Sequence, residues 1–171
     1  MGSGGGKWEE VFCTGTFERN LDDKQRLLVP KPVKKTLDSE RFFVAPGFDN
    51  CLELHNEESI RERACEVEKS QATSRDRKSF SRLYFAQAEA CELDSQNRIR
   101  IPQRLIDWAG LGTRLTILGV GAHWEIWNEE NWSGYCAENR TAFDQIAQAI
   151  EDEVDSNANE TSSERSPSHP R

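Results

Sequence analysis

Two segments of the chain repeat each other, and this duplication constrains the fold more than any other feature of the sequence. Residues 21–30 read LDDKQRLLVP, and residues 93–102, which lie 72 positions further on, read LDSQNRIRIP. At that offset many residues of the first half meet an identical residue, among them Leu21, Asp22, Arg26, Pro30, Gly47, Glu53, Asn56, Glu57 and Glu58. We therefore predict a tandem duplication that forms one pseudo-symmetric domain with a shared core.

Each copy predicts the same local structure. Asp22 and Asp94 begin a polar turn, in which the carboxylate can accept hydrogen bonds from backbone N–H groups and leave the following arginine to point outward. A strand of three residues follows that arginine. Pro30 and Pro102 then suit the first position of a helix, where the missing N–H is no loss.

A hairpin and a helix complete each repeat. Residues 42–45 and 51–54 flank a loop with Pro, Gly and Asn, which predicts a hairpin. The second half repeats this hairpin at 115–118 and 124–127. Alternation along these strands predicts one buried face and one solvent-facing side. The residues expected on the buried face are Leu52, Leu54, Trp124 and Ile126. Glu53 and Glu125 are expected to face solvent, and Asn56 and Asn128 are expected to cap the next helices.

The charges are segregated along the chain. The net charge is −8 over 171 residues, but residues 16–35 carry six bases and three acids, and residues 96–104 carry three arginines and no acid. The repeated motifs are therefore basic within an acidic protein. Half of the net negative charge falls in residues 151–171, which we expect to form a solvated tail.

Composition excludes several protein classes. No apolar run approaches a membrane span and no signal segment is evident, so we expect a soluble, intracellular protein. The five cysteines are odd in number and never spaced C-x-x-C, so we expect reduced thiols, with no metal site and no cofactor. Cys51 and His55 alone do not make a metal site.

The chain carries two copies of an Asp-x-x-x-Arg motif. Each copy lies in a unit of strand, turn, strand, proline and helix, and each unit closes with a hairpin. This arrangement resembles the MraZ family of bacterial transcriptional regulators of the SpoVT/AbrB class. The resemblance covers about residues 16–60 and 89–132, and Ala-Gly-Leu at 109–111 also matches. It implies an α+β fold that is mainly β, with a pseudo-two-fold swapped-hairpin AbrB-type β-barrel and flanking helices. The expected divisions are a flexible N-terminus and first strand (1–15), repeat 1 (16–60), a helical connector (61–88), repeat 2 (89–132), a C-terminal helix (133–150) and a disordered acidic tail (151–171).

The resemblance also implies a function. It predicts a cytoplasmic, nucleoid-associated regulator that represses transcription and forms a closed ring of identical subunits. The ring would bind double-stranded promoter DNA at the cell-division and cell-wall gene cluster. The motif loops would face the DNA, with Arg26 as the leading contact, Arg98 as its counterpart and Lys24 nearby. Arg19 and Asn20 are further candidates. No membrane and no small-molecule substrate are expected as partners.

One position departs from the family pattern in both copies. The residue before the arginine is typically Gly, but here it is Gln25 and Asn97. Gly at this position suggests a left-handed backbone, which Asn tolerates and Gln adopts only at a cost of about 1 kcal/mol. Either Gln25 carries that strain, or the first turn is rebuilt.

Other interpretations stay open at this stage. Arg26 and Arg98 could each pair with the aspartate four residues earlier and only brace the turn. The chain could also be an AbrB-like interaction module, antitoxin-like or a structural oligomer, without specific DNA binding. An enzyme is disfavoured, since the three histidines (His55, His123 and His169) share no evident partner pattern and no nucleophile with a base is indicated.

Overall fold

A computed structural model describes residues 12–38 and 41–163 of the chain. The strands are β1 (Thr16–Asn20), β2 (Arg26–Leu28), β3 (Arg41–Pro46), β4 (Leu52–His55), β5 (Glu89–Glu92), β6 (Arg98–Arg100), β7 (Arg114–Gly119) and β8 (Trp124–Asn128). The helices are α1 (Lys31–Leu37), α2 (Glu57–Lys69), α3 (Ser74–Tyr84), α4 (Gln103–Ala109), α5 (Glu129–Asn139) and α6 (Phe143–Ser163), with a short 3-10 turn at Arg140–Ala142. The predicted order of elements in each repeat is confirmed.

Strands from the two repeats pair with each other at four places in the described fold. Six strands form an antiparallel sheet in the order β1-β7-β8-β4-β3-β5, and β2 and β6 form a separate two-stranded ribbon. The contacts β1 with β7, β4 with β8, β5 with β3 and β2 with β6 all join the first copy to the second. The predicted α+β class and the shared core are therefore confirmed.

The expected closed barrel is not observed among the described strands, because β1 and β5 stay at the edges of the sheet and the ribbon forms its own ladder. The motif turns explain why β2 does not continue the sheet beside β1. The N–H of Arg26 donates to the Asp22 carboxylate, and its carbonyl accepts from the Asp22 N–H. Those backbone groups are used within the turn, and only an isolated bridge between Leu21 and Leu27 continues toward β1.

One hydrophobic core spans both copies of the repeat. Leu27 and Ile99 at the centre of the ribbon are fully buried, as are Trp124 and Ile126 on β8. Trp124 also donates from its indole Nε1 to the Thr36 hydroxyl at 2.8 Å, so its polar atom is satisfied inside the core. Fully burying a large apolar side chain stabilises the fold by about 1.5–3 kcal/mol, and these residues therefore hold the ribbon and the sheet together.

The helix ends follow the expected chemistry with small differences. Pro30 and Pro102 lie immediately before α1 and α4 rather than inside them. Asn56 caps α2, and its side chain accepts a hydrogen bond from the Ser59 N–H at 2.8 Å. Asn128 accepts from the Glu130 N–H at 3.0 Å.

The chain divides into two compact units, and the first ends at Trp132. The second contains the end of α5, the 3-10 turn and α6. Helix α6 continues to Ser163, past residue 150, where the sequence predicts the end of the C-terminal helix. Residues 164–171, where a disordered tail is expected, and residues 1–11 lie outside the described residues, and our domain boundaries stay a prediction.

The solvent-facing prediction for Glu53 is wrong. All four residues of β4 are buried, and Glu53 is only 2% exposed. Helices of the connector contribute polar side chains to this position. Glu53 Oε2 accepts a hydrogen bond from the Tyr84 hydroxyl on α3 at 2.5 Å and lies 3.0 Å from His55 Nε2. His55 Nδ1 in turn lies 2.7 Å from the Ser59 hydroxyl on α2.

The buried carboxyl is held in its ionised form. Burial raises the pKa of Glu53, but the hydrogen bonds from His55 and Tyr84 and the nearby His123 outweigh it, and the net pKa lies below its ordinary value. Burial lowers the pKa of His55, so its imidazole is neutral and donates from Nε2 to the carboxylate. The polar cluster therefore links the sheet to the connector without an unpaired buried charge.

Candidate nucleic-acid interface

The first motif forms a turn built around one carboxylate. Asp22 Oδ1 accepts hydrogen bonds from the backbone N–H groups of Lys24 at 2.9 Å and Arg26 at 2.8 Å. Asp22 Oδ2 accepts from the side chain of Arg26, whose Nε lies 2.7 Å away. Desolvation raises the pKa of Asp22, but these hydrogen bonds outweigh it and hold the net pKa below its usual range. The carboxylate therefore fixes both the turn and the direction of the arginine.

The second motif repeats this geometry almost atom for atom. Asp94 Oδ1 accepts from the N–H groups of Gln96 at 2.8 Å and Arg98 at 3.0 Å, and Asp94 Oδ2 accepts from Arg98 Nε at 2.8 Å. The bond from the Arg98 N–H is the largest cause that lowers the pKa of Asp94. The two turns are therefore equivalent in structure despite their different sequences.

The backbone before each arginine is left-handed. Gln25 has φ of 61° and Asn97 has φ of 59°. Gln25 therefore has the strained left-handed backbone, and the first turn is not rebuilt. The Gln25 side-chain amide donates to the Gln103 side chain.

Arg26 and Arg98 each form an ion pair with the aspartate four residues earlier. This is the interpretation in which the arginine braces its own turn. Arg26 is 30% exposed and Arg98 is 24% exposed, measured over the side chain. The pairing occupies only Nε in each case. No hydrogen bond to another described residue uses the terminal Nη groups of Arg26, so these donors are available to a ligand while Asp22 holds the rest of the side chain.

The structure brings Lys24 and Arg26 together with an arginine that the sequence did not single out. A groove is lined by Asp23, Lys24, Gln25, Arg26 and Arg100. Arg26 and Arg100 are direct partners across the ribbon, whereas Arg98 lies opposite Leu28. The predicted counterpart Arg98 is therefore at the other end of the ribbon, and the residue beside Arg26 is the exposed Arg100.

The remaining candidates lie on β1, away from this groove. Arg19 lines a second groove together with Lys31, Lys34 and Asn97. Its Nη1 donates to the Glu18 carbonyl at 2.7 Å. Lys34 Nζ donates to the Asn97 side chain at 2.9 Å. Asn20 is exposed at the end of β1 and lines neither groove.

The described residues offer no arrangement of three His, Cys, Asp or Glu side chains that could hold a metal ion. None of the helices in that part of the chain is long and apolar enough to cross a membrane. The ribbon instead offers guanidinium and ammonium groups on exposed turns, a chemistry that suits phosphate and base edges of nucleic acid.

Comparison with known proteins matches most of the chain to one family. The family described as "MraZ protein, putative antitoxin-like" matches residues 12–79 and 84–154. A "Transcriptional regulator MraZ" of Desulforamulus reducens is 36% identical over 138 residues, which cover 81% of this chain and 96% of the relative. Proteins of the same name from Alkaliphilus metalliredigens and Caldicellulosiruptor saccharolyticus are 34% and 37% identical, with the same coverage of both chains. These relatives are named as regulators of transcription and not as enzymes.

Proposed function

The chain belongs to the MraZ family and is a regulator of transcription, not an enzyme, and from this premise we propose that it binds promoter DNA in a sequence-specific manner. The target that we propose is the promoter of the cell-division and cell-wall gene cluster, where binding would repress transcription. The observation that carries the proposal is the paired motif turn, in which a carboxylate orients an arginine beside further exposed basic residues.

Arg26 is the proposed base-reading residue. Reading a base edge requires a side chain held in a fixed geometry, and the 2.7 Å bond from Arg26 Nε to Asp22 supplies it. The free Nη groups can then bridge O6 and N7 of guanine in the major groove. Lys24, which is exposed on the same turn, would neutralise a phosphate as a mobile point charge.

Arg98, Arg19 and Asn20 are proposed as secondary contacts. Arg98 is oriented by Asp94 as Arg26 is by Asp22, so a second motif can meet DNA with the same geometry. Arg19 and Asn20 lie on β1, where Arg19 shares a groove with Lys31 and Lys34. We assign the sequence preference to Arg26 and a weaker, position-fixing role to these residues.

We also propose that the protein assembles into a ring of identical subunits and works in the cytoplasm at the nucleoid. The basic groove of one subunit contains few cations, and one such groove would bind DNA weakly. Several linked grooves that meet adjacent DNA repeats would raise the overall affinity without any new type of contact. The net charge of −8 would meanwhile oppose binding outside the basic loops.

The test is the DNA affinity of the Arg26→Ala variant, with Arg82→Ala as the matched control because Arg82 is exposed near the end of α3. Loss of one bidentate base contact costs about 1–3 kcal/mol, so we expect Arg26→Ala to weaken binding by about fivefold to 150-fold. Asp22 keeps its backbone hydrogen bonds in this variant, and the fold should persist by circular dichroism. An Arg26→Ala protein with wild-type affinity would contradict the assignment.

A second candidate function rests on the family description, which includes the word antitoxin-like. In that case the chain would be an AbrB-like module that binds a protein partner or only forms a homo-oligomer. A small protein that copurifies in stoichiometric amount, together with an absence of salt-dependent DNA binding, would favour this candidate over the first.

A further inference from the structure

Arg100 occupies a place in the ribbon that the repeat does not explain. The residue at the equivalent position of the first copy is Leu28, which is 47% exposed. The duplication therefore places an apolar residue in one copy and a cation in the other. The basic end of the ribbon, where Arg26 and Arg100 meet, is thus chemically different from the end where Leu28 meets Arg98.

The register brings the Arg26 and Arg100 side chains as close as neighbouring strands allow. The Ile101 N–H donates to the Gln25 carbonyl at 2.9 Å, and the Val29 N–H donates to the Asn97 carbonyl at 3.0 Å. Because hydrogen-bonded and non-hydrogen-bonded pairs alternate along antiparallel strands, Arg26 and Arg100 form a non-hydrogen-bonded pair, with Cα atoms about 4.5 Å apart. Like charges on directly opposite residues destabilise a sheet.

Within the described part of the chain, Arg26 has an acidic partner and Arg100 has none. Arg26 is bound to Asp22. Among the described residues no acidic side chain forms an ion pair with Arg100, although Asp23 lines the same groove. An exposed cation beside a second cation, without an acid of its own, is an arrangement that an added anion would stabilise.

From these observations, and on the basis of the proposed DNA-binding function, we propose that Arg100 contacts a DNA phosphate next to the base read by Arg26. No carboxylate of a described residue fixes the Arg100 side chain, so it lacks the positioning that base recognition needs but retains the charge that phosphate neutralisation needs. Arg26 and Arg100 thereby have different roles in one groove. Arg26, which is held by Asp22, recognises a base, and Arg100 attracts the phosphate backbone.

The experiment measures the affinity of the full-length protein for its own promoter duplex and for a scrambled duplex, across salt concentrations from about 50 to 200 mM. Three variants are compared with the wild type: Arg100→Ala, Arg100→Lys and the control Arg82→Ala. Each phosphate contact adds about 0.9 to the slope of log K against log salt. We expect Arg100→Ala to make this slope less steep by about 0.9 for every subunit that contacts DNA. The affinity should fall roughly fivefold for each of those subunits.

The reduction should be equal for both duplexes, because a phosphate contact carries no sequence information. Arg100→Lys should restore most of the slope, since lysine keeps the charge, and Arg82→Ala should match the wild type. The inference is overturned if Arg100→Ala binds like the wild type, if only the promoter duplex is affected, or if Arg82→Ala causes the same loss. A wild-type protein without salt-dependent binding would overturn the proposed function itself, and this inference with it.

Discussion

Replacing Tyr84 by phenylalanine tests how the connector is attached to the sheet. Tyr84 is 3% exposed, and its hydroxyl donates to the Glu53 carboxylate at 2.5 Å. Its ring stacks on Phe80 with the centroids 5.1 Å apart. Phenylalanine keeps the ring and its packing, so the substitution removes the hydrogen bond without opening a cavity.

The expected loss follows from the charge of the acceptor. A hydrogen bond to an ionised group contributes about 1.5–3 kcal/mol, and Glu53 is 2% exposed, so water cannot replace the hydroxyl. We expect Tyr84→Phe to lower the free energy of unfolding by about 2 kcal/mol and Tm by about 4–8 °C. Tyr135→Phe makes the same chemical change at a residue that is 38% exposed and should cost less than Tyr84→Phe, because water can replace the lost hydroxyl there.

The stability lost in Tyr84→Phe should be larger at neutral pH than at acidic pH. The folded-state pKa of Glu53 lies below its ordinary value, so its stabilising contribution is present above the unfolded pKa and disappears as the pH falls through the folded pKa. The difference between Tyr84→Phe and the wild type should therefore be largest near pH 7 and should narrow below about pH 4. Urea unfolding at both pH values, at equal protein concentration, measures it. A Tyr84→Phe loss no larger than that of Tyr135→Phe would refute the reasoning.

Two further substitutions test the backbone. Gln25→Asn gives the first turn the residue type that the second turn has at the same left-handed position, and we expect thermal melting to show a gain of up to about 1 kcal/mol; a loss of stability would argue against strain at Gln25. Gly119→Ala would place a Cβ against the backbone of Cys13 and Thr14, so we expect denaturant unfolding to show a loss of about 1–3 kcal/mol or more. Its control is Gly134→Ala on α5, where a Cβ meets nothing within 4 Å and should stabilise the helix by about 0.5–1 kcal/mol; equal effects at the two glycines would contradict this interpretation.

The duplication made most of the first unit predictable. Residues such as Asp22 and Asp94 form local turns, and local chemistry is readable from sequence. The shared core also follows from the repeat, whereas the pairing of β2 with β6 is known only from the structure. The left-handed backbone at Gln25 was one of two alternatives, since propensity alone could not decide between strain and a rebuilt turn.

Glu53 shows where pattern reading fails. Alternation along β4 predicts a polar outer face, and the rule assumes that solvent covers that face. Here α3 brings Tyr84 against it from 31 residues further along the chain. Neither the position of that helix nor the partners of His55 can be derived from spacing, because they depend on long-range packing.

Arg100 was missed for a different reason. Alignment of the two copies pairs Arg26 with Arg98, and this led us to treat Arg98 as the counterpart of Arg26. The ribbon is antiparallel, so the spatial neighbour of Arg26 is Arg100. Sequence equivalence and spatial proximity are different relations in a pseudo-symmetric fold, and only the register distinguishes them.

The most direct test of the account is a titration of the wild-type protein against the promoter duplex upstream of its own gene, at about 50 and 200 mM salt, beside a scrambled duplex. Oriented arginines and exposed cations on the motif turns predict tight binding that prefers the promoter duplex and weakens steeply as salt rises. Binding without preference for the promoter, or without dependence on salt, would contradict the claim that these turns recognise DNA.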